Sequence, residues 1–430
     1  LKFEDFMISN ISISKAIGFA FFIGLILACG LLQVLAIKDR FVLFPLIVAA
    51  LIVFSWILVL LVASKLYPKG DRSILCLSWL LCAVGLIFVY RLKPELFLLQ
   101  ALWVVTGGAA FLVAALVSAK INRFFRYKYL IAILGIVLLA VALVFGEEIN
   151  GSRNWVIIGP VRFEPFEFAR LLMVIFLAAY LDERRVLFAA PDWKLGFVRL
   201  PDKRILAPLV VLWGMAMLVL IVQKDLGAAL LFFATAVLLM YIGTGRLIYV
   251  LGGALVFFGG SIVCYLLYWH VRVRVDIWLN PWLDPDGRAF QIVQSLFAFA
   301  AGGLWGTGIG FGHPSLIPEV HTDFIFAAIG EELGLLGALA VLLAYSLLIT
   351  RAFRIAMLSR NNFLSLLSAG LACFLALQVF LIIGGVTKFF PLTGVTMPFV
   401  SYGGSSMVST SIILGILFAI SDGECNYVEI

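Results

Sequence analysis

Charge is scarce in this chain: 13% of its 430 residues are Asp, Glu, Lys or Arg, against about a quarter in soluble domains. That deficit excludes an ordinary water-soluble enzyme, a nucleic-acid-binding module and a disordered chain. Histidine is scarcer still, with three residues, His270, His313 and His321. The six cysteines are scattered, Cys29, Cys76, Cys82, Cys264 and Cys373 in apolar stretches and Cys425 in the terminal tail. With no CxxC or CxxH spacing and no two cysteines in the long polar loops, neither a metal site nor a disulfide framework is expected.

What the chain has is apolar surface, 64% of its residues. A bilayer-spanning helix takes about 20 apolar residues, so the composition supplies about twelve. Breaks at charges, Pro and Gly place them near 16–36, 41–64, 73–90, 96–119, 129–146, 167–182, 205–222, 226–243, 247–268, 331–350, 362–385 and 403–420. The fold expected is an all-α polytopic membrane protein. Only Gln223, Lys224 and Asp225 separate the seventh and eighth segments, which leaves one broken or re-entrant segment as the alternative there. The first apolar run is too long for a signal-peptide core and reads as a retained helix. Because the chain opens on Leu1 rather than Met, residues upstream of it are expected.

Cytoplasmic loops are enriched in Lys and Arg. With both termini inside, most of the 31 basic side chains fall in inner segments, so cytoplasmic N- and C-termini are the expected orientation. The net charge of +7 is read as this placement, not as nucleic-acid affinity. Three polar segments then lie outside, 147–166, 269–330 and 386–402. Within the largest, Ile292–Ala301 is too short to cross and is expected to lie in the interface or dip back.

Charges at the rim of a helical bundle are costly, and those that persist line a cavity or pair with one another. The outer segments collect them: Arg153 with Trp155, Glu164, Glu167 and Arg170, Lys224 and Asp225, Arg272 and Arg274, Asp284, Asp286 and Arg288, His321 and Asp323, Glu331 and Glu332, and Lys388. Cations and carboxylates on one side suit a polyanionic ligand with acid or base chemistry; solvated loop charges and helix-end ion pairs are the plainer account of any one of them.

In NPWLDPDGRAFQ, Asp284 to Gly287 reads as a type I turn, with Asp first, Pro second and Gly fourth. The turn alone accounts for those residues. A carboxylate held there at the mouth of an apolar cavity would also be rigid and partly desolvated, which suits a general base. The glycine run GGLWGTGIGFG, 302–312, follows no strand, so close packing explains it better than a dinucleotide site. Glu331 and Glu332 stand just before a span, where carboxylates favour the helix dipole. In PLTGVTMPFVSYGGSS, which holds Ser401 and Ser405, Pro and Gly imply irregular backbone at membrane depth, tolerated only under cover, so this loop is expected to wall a cavity.

At these residues the chain resembles the shape, elongation, division and sporulation (SEDS) proteins of the FtsW/RodA/SpoVE type. The matching pieces, in order, are GSRNWVIIGP with FEPFEFAR, QKDLG, WLNPWLDPDGRAFQIVQS, LWGTGIG, PEVHTDFIFAAIGEELG and PLTGVTMPFVSYGGSS. The resemblance spans roughly 73–420, a ten-helix core, and leaves two extra N-terminal helices in 1–72 and a cytoplasmic tail at 421–430. It implies a peptidoglycan glycosyltransferase that polymerises lipid II, the undecaprenyl-pyrophosphate disaccharide-peptide, into β-1,4 glycan at the outer face of the bacterial cytoplasmic membrane. It also implies a class B penicillin-binding protein as partner. The family's essential loop aspartate falls on Asp284, the catalytic candidate. Substrate contacts are expected from Arg153, Trp155, Glu167, Arg170, Arg274, Asp323, Glu331, Lys388, Ser401 and Ser405. No cofactor is required by the resemblance, although a divalent cation, Mg or Mn, is compatible with the pyrophosphate. Ala289-Phe290 stands where Gly-Tyr is usual, Phe166 where Ser is, Lys224 where Pro is, and Lys388 at a position often small or apolar. A lipid II flippase is the alternative, weakened by the lack of a clear inverted repeat; a wall-enzyme scaffold is a third.

Overall fold

The computed structural model describes residues 11–37, 42–120, 126–149, 152–159, 161–189, 193–195, 198–200 and 203–423. Most of the expected tail, 424–430, lies outside them, as do Gly151 and Pro160 of the GSRNWVIIGP stretch. Helices dominate. In chain order they are α1 (Ile13–Ile37), α2 (Phe44–Leu66), α3 (Arg72–Leu92), α4 (Phe97–Ser118), α5 (Lys128–Phe145), α6 (Phe166–Ala189), α7 (Lys203–Val222), α8 (Leu226–Thr244) and α9 (Leu247–Leu267). Then follow α10 (Trp269–Leu279), α11 (Phe290–Gly302), α12 (Ile325–Leu358), α13 (Asn362–Val386) and α14 (Gly404–Ser421).

Every expected span is met by one of these helices. Eleven of the described helices are long and apolar enough to cross a membrane. The twelfth, α6, is set apart by its charges, Glu167 and Arg170 in its first turns and Asp182 to Arg185 further on. Between α5 and α6 the chain adds what the sequence reading did not foresee, a small antiparallel sheet of β1 (Glu147–Ile149), β2 (Ser152–Ile158) and β3 (Val161–Phe163). A two-stranded ribbon, β4 (Trp193–Leu195) and β5 (Val198–Leu200), precedes α7.

The chain divides into two compact units. The first comprises 1–116, 269–351 and 378–422; the second comprises 117–268, 352–377 and 423–430.

In the first unit α3 is the central helix, with α1, α2 and α14 packed on it. Small residues set the spacing: Gly24 of α1 faces Val53 of α2, and Gly30 faces Ile87 of α3. Trp56 of α2 stacks on Trp79 of α3 at 5.6 Å. Beside this stack lies a cavity of about 30 Å³, walled by Ser78, Gly107, Phe399 and Ser411 among others. Its size suits a water molecule. The expectation that the 391–405 loop walls a cavity is met at Phe399, but this one is far too small for a lipid tail. Asp71 caps α3 through Ser73 N (3.1 Å) and also receives Arg351 Nη2 (2.8 Å), which itself reaches the Ser73 hydroxyl at 2.8 Å. A buried pair of this kind is costly to break from one side, about 3–5 kcal/mol.

In the second unit α5 packs on α6 and α7, and α8 packs on α6 and α9. The expected tight connection between the seventh and eighth segments exists. Lys224 turns the chain in the left-handed region (φ 62°), and the Asp225 carboxylate accepts Ala228 N (2.9 Å) to start α8. Three residues close the connection because one carries the reversal and another the cap.

Candidate active site

In the first unit, α10 leads into a short helical turn, Pro281–Leu283, and then Asp284. The expected turn forms: Gly287 N donates to Asp284 O at 3.4 Å and Ala289 N to the same oxygen at 3.2 Å. The Asp284 carboxylate accepts Arg288 N at 3.1 Å, so its side chain folds over the turn. The turn therefore explains Pro285 and Gly287, and it also fixes the carboxylate. Within the protein Asp284 is exposed, and the residues packed beneath the turn are its apolar feet, Pro281 and Ala289.

Arg274, on α10, is half-buried and donates through Nη1 to Thr393 O at 3.5 Å. Its other nitrogen, Nη2, comes within 3.9 Å of where a Cβ on Gly394 would sit, and Asp323 Oδ2 within 3.7 Å of the same point. An arginine, an aspartate and a glycine in the left-handed region (φ 72°) thus converge. Only a residue without a side chain leaves that space open. Lys388 follows α13, half-buried and also left-handed (φ 60°), with its N–H on Gly385 O.

Other candidates are committed to the scaffold. The Ser401 hydroxyl donates to Thr322 O (2.5 Å) and accepts Met397 N (2.9 Å), and Tyr402 N donates to His321 O (2.9 Å). These bonds zip residues 321–322 to 401–402. Ser405 is buried in the first turn of α14. The Gln100 amide reaches Ser401 O, and the Tyr345 hydroxyl reaches Pro398 O. The loop's backbone is thus satisfied by protein, as irregular backbone at membrane depth requires.

Glu331 and Glu332 stand just before a span, as the sequence suggested: α12 is two helices joined across a break at Gly334 (φ 68°, ψ −169°), a conformation open to glycine alone, and both glutamates precede that break. The glycine run fills the break: Thr307 N donates to Glu331 O, Gly308 N to Glu332 O, and Leu335 N to Gly303 O, each at 2.9 Å. Glu331 Oε1 accepts His313 N (2.7 Å), which ties this carboxylate to the loop's frame. Glu332 pairs with Arg91 (3.1 Å), whose Nη2 also reaches Gly310 O and Gly312 O at 3.1 Å. Arg91 was missed in the sequence; its signal was a lone cation closing an apolar run, opposite two adjacent glutamates.

His321 is buried, with Nε2 3.8 Å from Glu319 and its ring 5.9 Å from that of Tyr402. Burial, and then the Lys93 ammonium, push the imidazole below its ordinary value against the pull of Glu319 and Glu95.

In the second unit, Arg153 on β2 is exposed and lies 3.7 Å from Glu148, which also faces Lys224 at 3.8 Å. Its backbone N–H donates to Gln223 O (3.3 Å), and Asn154 donates to Asp225 Oδ2 (2.6 Å). Trp155, half-buried, sits opposite Glu147. Glu167 and Arg170 pair with each other inside α6, with 3% and 1% of their side chains exposed, and the Arg170 guanidinium lies 4.3 Å from the Phe374 ring centre. One helical turn apart, they neutralise each other within the packing around α6.

Among the described residues no three His, Cys, Asp or Glu side chains gather as metal ligands. The residues do not form a protein cage for the divalent cation considered above.

A family model described as cell cycle protein, of the FtsW/RodA/SpoVE type, matches residues 71–425. The chain belongs to this family. Peptidoglycan glycosyltransferase RodA of Mycobacterium tuberculosis is 40% identical over 376 residues, covering 84% of this chain and 80% of that one. Stage V sporulation protein E of Bacillus subtilis is 31% identical over 364 residues, covering 82% and 96%. Among solved structures, one of a peptidoglycan synthase complex that coordinates polymerization and crosslinking matches with a TM-score of 0.66 and 28% identity. It covers 84% of this chain and 99% of that one. The Thermus thermophilus rod shape determining protein RodA matches with a TM-score of 0.54 and 25% identity, covering 82% and 96%. Like other FtsW/RodA/SpoVE proteins, the chain is an integral membrane protein.

Proposed function

We propose that this peptidoglycan glycosyltransferase polymerises lipid II by a single inverting displacement, with Asp284 as base. The observation that carries the reading is an accessible carboxylate, held rigid by its own turn, at the family's loop aspartate. Asp284 accepts the proton of the acceptor sugar hydroxyl as that oxygen attacks the anomeric carbon of the donor. The bond from that carbon to the pyrophosphate breaks as the β-1,4 bond forms, and the electron pair leaves with the undecaprenyl pyrophosphate. Arg274 beside the space at Gly394 stabilises that charge, and Lys388 is a second candidate. Asp323 orients Arg274. No step is routed through a metal ion.

Residues 73–420 form the catalytic core in this reading, 1–72 add two helices, and 421–430 form the tail. Both termini are cytoplasmic, which puts the Asp284 turn on the outer face, where the lysine and arginine placement supports it. A class B penicillin-binding protein is the partner, consistent with the synthase complex this fold resembles, in elongation, division or sporulation. Purified protein given lipid II, with and without such a partner, is expected to make glycan strands. Movement of lipid II across liposomes without polymer would assign the chain to transport instead.

A further inference from the structure

The segment that carries Asp284 presents large apolar side chains outward although it has no run long enough to span. Leu283, next to Asp284, is 80% exposed and Trp305 is 81% exposed, and Trp269, Trp282, Phe297 and Leu304 are exposed with them. They are organised rather than scattered. Trp282 rests on Phe297, ring centres 6.0 Å apart, and the Arg288 guanidinium covers Trp269 at 5.1 Å. Helix α10 has no buried residue at all. Helix α11, at 13 residues, is about 20 Å long, short of the about 30 Å of hydrocarbon.

Both ends of this segment are tied to membrane-spanning helices. Trp269 follows the end of the α9 span by two residues. At the other end, Gly303 and Leu304 accept backbone hydrogen bonds from Leu335 and Leu336 within the α12 span. Tryptophan beside arginine, with leucine and phenylalanine, is the composition of the zone between headgroups and acyl chains. Exposed apolar groups in such number are uncommon on a surface that faces only water.

We propose that residues 269–305 lie in the membrane interface, with Leu283, Trp282 and Trp305 inserted among phospholipids, and that this contact sets the depth of Asp284. A base held at headgroup height meets the sugar–phosphate junction of a lipid-anchored donor, whereas one raised on a loop in water does not. The consequence for Asp284 rests on its proposed role as base; the lipid contact does not.

The test uses the full chain in nanodiscs of palmitoyl-oleoyl phosphatidylglycerol. A bimane label on Leu283→Cys, in a chain with the native cysteines replaced by serine, is expected to lose most of its emission to lipids carrying a nitroxide near the headgroup. It should lose less to a nitroxide at the chain end and little to aqueous iodide. Because the cysteine replacements risk unfolding, the otherwise native chain supplies a second measurement. Brominated phosphatidylglycerol should quench the wild type more than it quenches Trp282→Phe or Trp305→Phe. Ready quenching by iodide with none by lipid would overturn the proposal, as would shielding that arises only when a protein partner is added. Loss of polymerisation in Asp284→Asn with lipid quenching unchanged would separate the two claims.

Discussion

A carboxylate that takes a proton from a bulky sugar must be reachable, and one that only supports a fold need not be; that distinction sorts the acids of this chain. Asp284 is exposed and its turn is fixed. Glu167, Glu331 and Glu332 are buried and bonded to protein. Glu167→Gln takes the nearest carboxylate charge from the buried Arg170 guanidinium and is expected to lower stability, read as a lowered Tm in detergent. An unchanged Tm with impaired lipid II binding would return Glu167 to the substrate. Arg274→Ala removes one charged donor and should slow polymerisation about 10²- to 10³-fold, with protein levels and Tm held. His321 has a folded pKa below its unfolded value of about 6.5, so the unfolded chain binds more protons as pH falls through that range. The stability it contributes is present above about pH 6.5 and is lost toward the depressed folded value. Tm should fall on acidification from neutral pH, and His321→Gln should flatten that slope; an identical slope would remove His321 as its source.

At the scale of elements, the eleven apolar spans were legible because each is an apolar run of bilayer length, and the Asp284 turn because Asp-Pro-Asp-Gly specifies its own geometry. What could not be read depends on distant partners. The break at Gly334 looks like any glycine in a helix until residues 303–308 are seen bonded into it. The sheet at 147–163 rests on short strands whose alternation is too brief to separate from loop. Nothing in the chain order reveals that Glu167 and Arg170 are buried against each other within α6. Arg274 and Asp323 were both named, yet Gly394 between them was read only as a loop residue. A Cβ at Gly334 would meet Gly306 N at 2.3 Å in a backbone region costing about 1–3 kcal/mol or more without glycine. Gly334→Ala should therefore lower the yield of folded protein. Wild-type Tm and activity in that variant would show that the interlock is dispensable.

At the scale of the molecule, the two leading helices lie wholly outside the family match and yet are part of the first unit's core. Trp56, Leu60 and Ala63 of α2 are buried, and the Tyr67 hydroxyl binds Ala115 O at 2.6 Å. Removing them would uncover Trp79 and the wall of the small cavity. The whole account turns on whether the exposed acid of the 281–288 turn does the chemistry. The direct measurement is the rate of glycan formation from lipid II by purified wild type, Asp284→Asn and Asp286→Asn, each first shown to share the wild-type Tm. Asp284→Asn is expected to lose about 10²-fold or more while Asp286→Asn stays near wild type; polymer made at the wild-type rate by Asp284→Asn would contradict the assignment.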